Sequence, residues 1–414
     1  MKIYKAYKTE LDPNEKQRSA LLQYAGAARW AYNYGLQRKI VSYGEKGKNP
    51  SAFALYKDLI ILKGKEKEEG GFPWLSEISK YVPQEALRSV DQAFDNFFRR
   101  CREGAKEKGF PKFKTKKEGV GSFTLRERIH VFTGRIKLPK LGYIRLKEKN
   151  YLPIDGREDI KILYVTVSEK AGRWYVSLQV EQEIPDPLPI KEDPHVVGVD
   201  VGVKELATTS DGEVFENPKA YKKAQKRLRF LQKEADRKQK GSKNQKKARK
   251  KVAKQHVKIA NVRKDNQHKA STAIAKSADV IVIETLNVEG MKKKRCLSKA
   301  VSDAGMSEFL RQLKYKAEWA GKQVIKADMW YPSSKMCSSP GCGYINKDLT
   351  LKDRFWVCPK CGVKHDREFN ASVNLKNLAG SSPVSACCPG ASTSDRIVPG
   401  QALVGQEPNT SLEG

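Results

Sequence analysis

Four cysteines and three carboxylates are the residues of this chain whose types and spacing could do chemistry. Cys337-x4-Cys342 is followed, after 15 intervening residues, by Cys358-x2-Cys361. Two cysteine pairs at such spacings suit a tetrahedral four-thiolate zinc ribbon, with each sulfur about 2.3 Å from the metal. All four positions are thiolates and none is left open, so the expectation is structural Zn²⁺ rather than catalytic. Gly343 and Gly362 each follow a second cysteine, where a tight turn favours a residue without Cβ. Cys101 falls in a helical pattern, and Cys296, Cys387 and Cys388 lack partners at metal-binding spacing.

The carboxylates stand at the ends of apolar runs. Asp200 lies in V-V-G-V-D-V-G-V, between Gly198 and Gly202, and Glu284 ends A-D-V-I-V-I-E. A carboxylate placed there is costly unless something charged meets it. Two of them on strands of one sheet suggest a shared cation. A third acidic cluster, His365-Asp366-Arg367-Glu368-Phe369-Asn370, opens a helical stretch just after the last cysteine pair. Strand-end carboxylates plus a helix-borne acid are what a two-Mg²⁺ phosphodiesterase site needs. The plainer alternative is three surface acids at strand and helix ends. The company of a polycationic segment favours the metal site.

The elements that must position these groups can be read along the chain. Residues 1–12 read as a strand. Residues 14–40 and 82–102 carry helical apolar stripes. Short strand-like runs then follow, at 122–125, 129–132, 135–138, 143–146, 160–168 and 174–181, as a small antiparallel module. The Pro-rich stretch 184–194 reads as a linker. Beyond it the pattern becomes α/β, with strands at 196–201, 206–210, 279–284 and 323–328, a helix at 307–320 and a closing helix at 370–378. The Ser-, Pro- and Gly-rich stretch from 380 to 414 reads as a disordered tail.

Between the first two acidic motifs, residues 222–270 hold 20 Lys/Arg against Glu234, Asp236 and Asp265, a net +17. Apolar residues punctuate this stretch at helical spacing, and Gly241-Ser242 divides it into two antiparallel helices. Lys222, Lys223, Lys226, Arg227, Arg229, Lys246, Lys247, Arg249, Lys250, Lys251 and Lys254 are the candidate nucleic-acid contacts. A charge run is usually no more than a solvated helix face. A face that is merely solvated mixes signs, however, and this imbalance favours a polyanion. Phosphate contact carries no sequence information by itself.

Composition agrees. The 414 residues carry a formal charge of +32 with 39% hydrophobic content, which is enough for a core and excludes a disordered polycation. No apolar run approaches the roughly 20 residues that span a bilayer, so no membrane partner is expected. The N-terminal residues show no secretory pattern. A cytoplasmic, nucleoid-associated location follows, where cysteines stay reduced and serve metals rather than disulfides.

Taken together, these motifs resemble the TnpB family, RNA-guided nucleases encoded by insertion sequences and related to type V CRISPR effectors. GVDVGVKELATTSDG (198–212), ADVIVIETLNVEGM (278–291) and DREFNASVNLKNLAG (366–380) look like its three RuvC motifs. WYPSSKMCSSPGCG with WVCPKCG (330–362) looks like its zinc insert. FPKFKTKK (110–117) and residues 122–146 are also similar to it. The resemblance implies an α/β, RNase H-like RuvC domain (195–330 and 365–379) carrying a four-cysteine zinc ribbon (331–364). It also implies an N-terminal wedge β-barrel (1–12 and 110–183) interrupted by a helical recognition insert (13–109). A transposon-derived guide RNA and target double-stranded DNA are the implied partners, with backbone and shape holding the heteroduplex. Asp200, Glu284 and Glu368 match the catalytic Mg²⁺-binding positions.

Glu368 departs from the family pattern, which is Asp-Arg-Asp-x-Asn. The extra methylene moves the carboxylate by roughly 1.5 Å. A misplacement near 1 Å can cost on the order of 10²-fold in rate. Asp366 is a poor substitute, because a two-residue offset on a helix points elsewhere. Two other functions therefore stand beside the RNA-guided DNA endonuclease. One is a guide-dependent DNA-binding protein that no longer cuts. The other is a zinc-ribbon RNA-binding structural protein with incidental acids.

Overall fold

The computed structural model describes residues 1–381 apart from 48, 154, 155, 157, 187–191 and 351. The expected tail, except for Gly380 and Ser381, and the middle of the expected linker lie outside the described residues. The chain forms two compact units, Met1–Ile184 and Pro185–Gly414.

The first unit begins with strand β1 (Lys2–Asp12). Three helices follow: α1 (Glu15–Lys46), α2 (Ala52–Gly64) and α3 (Tyr81–Arg102). Asn14 starts α1 with a capping box. Its side chain accepts from the Gln17 backbone, and Gln17 reaches back to the Asn14 N–H. Strands β2 (Ser122–Leu125), β3 (His130–Phe132), β4 (Arg135–Leu138), β5 (Gly142–Leu146), β6 (Ile160–Lys170) and β7 (Arg173–Glu183) complete the unit. They form one seven-stranded antiparallel sheet with β1 between β7 and β5, in the order β2-β6-β7-β1-β5-β4-β3. The three helices are thus an insertion between two strands of one sheet. Among the described residues no ladder joins β2 to β3, so the sheet is open at those strands rather than a hydrogen-bonded closed barrel. Helix α2 is not expected from the sequence pattern. Its apolar residues fall on several sides, with Leu55 and Leu59 buried and Phe53, Ile60 and Ile61 exposed, which leaves no single stripe to detect.

The second unit is built on β8 (Val196–Val201), β9 (Glu205–Thr209), β10 (Val214–Glu216), β11 (Val280–Ile283) and β12 (Gln323–Lys326), in the order β10-β9-β8-β11-β12. β11 runs parallel to both β8 and β12, while β9 is antiparallel to β8 and β10. This is the RNase H-like order. Helices α4 (Ala220–Asp236), α5 (Lys243–Ser277), α6 (Val288–Lys293), α7 (Ser298–Ala304) and α8 (Met306–Trp319) lie between the strands in sequence. After them come the hairpin β13 (Phe355–Val357) and β14 (Lys364–Asp366) and the closing helix α9 (Arg367–Ser381). Neither α6 nor α7 is expected from the sequence pattern, since both are too short to show a period.

Successive residues of a strand point to opposite faces, and the two faces of this sheet are covered differently. Val197, Val199, Val201, Ile281 and Ile283 pack with Ile274 of α5 and Phe309 and Leu313 of α8. Val282 instead packs with Leu375 of α9. By this alternation Gly198, Asp200 and Glu284 belong to the α9 face.

Candidate active site and cysteine centre

Register brings the first two acids together. Ile283 pairs with Val199 at the last position of the β11–β8 ladder. One step further along each strand stand Glu284 and Asp200. Glu284 lies one residue past β11, and Asp200 is the penultimate residue of β8. Helix α9 supplies the third acid, because Gly198 lets it approach. A Cβ at Gly198 would stand 2.0 Å from the Ser372 carbonyl oxygen and 2.5 Å from the Lys376 backbone nitrogen. Glu368 sits in the first turn of that helix.

Asp200 feels the other two acids. Burial pushes the Asp200 carboxyl well above the usual carboxylate range, and the charges of Glu284 and Glu368 push it further, with Arg367 opposing. Burial also raises Glu284, against the hydrogen bond that the Ser333 hydroxyl donates to it. Glu368 is held by two guanidinium groups. Arg354 pairs with it closely, and Arg367 Nη2 lies 3.4 Å from its Oε1. Asp366 has a different task. Its carboxylate accepts the backbone N–H groups of Glu368 and Phe369, each at 3.0 Å, and so caps α9. A buried carboxyl pressed by two neighbouring carboxylates, as Asp200 is, is the donor chemistry that a divalent cation would relieve.

The cysteines are closer still. Among the described residues, Cys337, Cys342, Cys358 and Cys361 are the one group of three or more candidate ligands whose donor atoms all lie within 4.8 Å of one another. The Cys337–Cys361 and Cys342–Cys358 sulfur separations are both 3.6 Å. Sulfurs at 2.3 Å from a tetrahedral metal would be about 3.8 Å apart, so the donor set fits zinc. The two knuckles are built alike. The Cys337 N–H donates to the Tyr344 carbonyl at 2.8 Å, and the Cys358 N–H to the Val363 carbonyl at 2.9 Å. Gly343 and Gly362 adopt φ of 58° and 72°, as the turns require. The Val363 N–H helps hold the Cys361 thiol down to about 6.

Several residues at these centres take on tasks that the sequence pattern does not assign them. Buried His365 places Nε2 3.0 Å from the Cys337 sulfur and packs against the Trp356 ring. Asn370 and Asn374, both buried in α9, donate to the Met336 carbonyl at 2.7 and 2.6 Å. Asn374 also donates to the Ser333 carbonyl at 2.7 Å. The cysteine insert is therefore tied to the helix that carries Glu368.

The basic helices form the expected pair. Gly241, at φ 83°, and Ser242, which caps α5, separate them. Leu228 and Ile259 make the seam with Tyr221 and Val252. All eleven candidate Lys and Arg residues lie at least partly open to solvent. Lys251 pairs with Glu234 at 3.1 Å. Buried Asp303 of α7 accepts the backbone N–H groups of Tyr221 and Lys222 at 2.9 and 3.2 Å and so anchors the start of α4.

A protein of Streptomyces pristinaespiralis named as an RNA-guided DNA endonuclease is 35% identical, over 100% of this chain and 98% of its own. The chain belongs to the TnpB-like RNA-guided DNA endonuclease family. The similarly named InsQ of Escherichia coli K12 is 32% identical over 94% of both chains. Three family models match: OrfB_IS605, "Probable transposase", at 177–295; the Cas12f1-like TNB domain at 307–375; and the OrfB_IS605 helix-turn-helix domain at 1–48. The last covers a single strand and a single long helix here. Among solved structures, the mini-RNA-guided endonuclease CRISPR-Cas_phi3 aligns over 91% of this chain and 92% of that one, at 9% identity and a TM-score of 0.48. Among the described residues no helix is long and apolar enough to cross a membrane.

Proposed function

We propose that this chain is an RNA-guided DNA endonuclease that binds a guide RNA and cleaves matched double-stranded DNA beside a short adjacent motif. The observation that carries this is the convergence of Asp200, Glu284 and Glu368 on one face of an RNase H-like sheet, with the charges of the two glutamates felt at Asp200. These three would hold Mg²⁺, which when bound supplies an activated water and stabilises the leaving oxygen. The chain's own contribution is position. Gly198 seats α9 on the sheet, Ser333 orients Glu284, and Arg354 with Arg367 orients Glu368. The four cysteines would hold Zn²⁺ structurally and fix the insert against α9. The cations of α4 and α5 would carry the nucleic-acid backbone.

The test is cleavage of a guide-matched plasmid in Mg²⁺ by the purified protein–RNA complex. Asp200→Ala abolishes cutting and preserves guide binding. Unchanged cutting by Asp200→Ala overturns the assignment.

One observation favours a second reading, a guided DNA binder that cuts weakly. Glu368 is already engaged by two guanidinium groups. Glu368→Asp separates the readings. A large gain in rate marks Glu368 as the weak point, and no gain marks it as adequate.

A further inference from the structure

Trp330 is 86% exposed, and no other large apolar side chain among the described residues is as exposed. A tryptophan so placed forgoes the burial that normally holds this residue type. It is nonetheless displayed on a well-fastened turn. The Tyr331 N–H donates to the Asp328 carbonyl at 3.1 Å, closing residues 328–331 into a turn. The Trp330 N–H donates to the Asp328 side chain at 2.8 Å, an Asx contact that fixes the corner. Tyr331 is tied down by its hydroxyl, which donates to the Asn374 carbonyl at 3.0 Å. Pro332 then restricts the backbone of Tyr331.

This turn leaves the sheet at the carboxyl end of β12, the same edge at which β11 ends before Glu284. Three residues after Trp330, the Ser333 hydroxyl donates to Glu284. Three residues span at most about 11 Å between Cα atoms, so the backbone of Trp330 lies within that reach of Ser333, whose side chain touches Glu284. An exposed indole on a rigid corner beside a cationic protein's phosphodiesterase site suits the flat face of an unpaired base.

We propose that Trp330 is a stacking platform for an unpaired nucleobase of the single DNA strand delivered to Asp200, Glu284 and Glu368. The inference rests on the endonuclease reading. Its role is to set the strand's register at the site.

The test uses the protein–guide RNA complex and a single-stranded DNA oligonucleotide, with Ca²⁺ in place of Mg²⁺ for binding and Mg²⁺ for kinetics. DNA quenches tryptophan fluorescence in wild type, and the quenching is lost in Trp330→Phe, which assigns it to this indole. Trp330→Ala weakens oligonucleotide binding and raises KM on the order of tenfold, and Trp330→Phe restores most of both. Guide affinity, zinc content and Tm stay at wild-type values. Unchanged binding and KM in Trp330→Ala overturn the proposal, as does a fall in kcat alone. If wild type binds with quenching and does not cut, the endonuclease reading fails while the platform stands.

Discussion

Gly198 of β8 and Ser372 of α9 meet so closely that a Cβ added at Gly198 would stand 2.0 Å from the Ser372 carbonyl oxygen. The helix that carries Glu368 therefore rests directly on the strand that carries Asp200. A backbone atom cannot swing aside as a flexible side chain can. Gly198→Ala must lift or slide α9, at a cost of about 1–3 kcal/mol or more. The expected outcome is a Tm lower by several degrees and cleavage reduced by on the order of 10²-fold. Gly44→Ala in α1, where a Cβ meets nothing within 4 Å, is the control and leaves both unchanged or slightly improved. Calorimetry and plasmid cleavage check the pair.

The Asp200 carboxyl is raised by burial first and then by its acidic neighbours. A raised carboxyl holds its proton more tightly in the folded chain than in the unfolded one. Its contribution to stability is fully present below the ordinary pKa of about 4 and is lost as pH rises toward the folded value. At pH 7 in a chelator, Asp200→Asn should melt above wild type, by about 2–4 °C for each kcal/mol of repulsion relieved. Mg²⁺ should raise the wild-type Tm by mass action and leave Asp200→Asn unmoved. A thermal melt series with and without Mg²⁺ decides it, and a lower Tm for Asp200→Asn in chelator would count against the shared-charge account.

Much of this site is legible in the sequence because its signals are local. The run V-V-G-V-D-V shows a buried strand, and its alternation places Asp200 on the same face as Gly198. The cysteine spacing shows two knuckles. Other parts depend on contacts between distant positions. Ser333 meets Glu284 across 49 residues, and Asp303 reaches Tyr221 across 82. Neither contact has a period or a spacing that single-chain patterns could register. Arg354 is similar. It stands four residues before Cys358, in a loop, and only the β13–β14 hairpin brings it to Glu368. Asp366 shows the same limit. The helical two-residue offset does not apply, because Asp366 ends β14 before α9 begins, and its work as a helix cap emerges only from its backbone partners.

Asn374 separates the structural role of the cysteine centre from its coupling to the acidic face. Removing zinc by chelation, or by Cys358→Ser, should unfold the insert, because structural zinc sites contribute folding energy outright. Metal analysis should fall from one zinc per chain, and Tm should drop. Asn374→Ala instead leaves all four thiols in place. It strips donors from the Ser333 and Met336 carbonyls, at about 1–3 kcal/mol. Zinc content should stay at one per chain while cleavage falls. Loss of zinc from Asn374→Ala would mean that the two centres are not separable in this way.

The basic pair offers a measurement that separates charge from shape. If Lys246 and Lys250 contact phosphates, each removal releases one fewer counterion on binding. The slope of log K against log salt should then shrink by about 0.7–0.9 per lysine. The loss should be alike for any RNA sequence, because phosphate contacts position rather than specify. Lys251 serves as the internal comparison, since Glu234 already engages it at 3.1 Å. Lys251→Ala should change the slope by less than its neighbours do. Asp303→Asn should leave the slope intact while weakening the anchored start of α4, so that Tm falls and the number of phosphate contacts does not. Salt titrations of guide binding by anisotropy, run on all four variants, distinguish cations that touch the backbone from those that only add to the surrounding field.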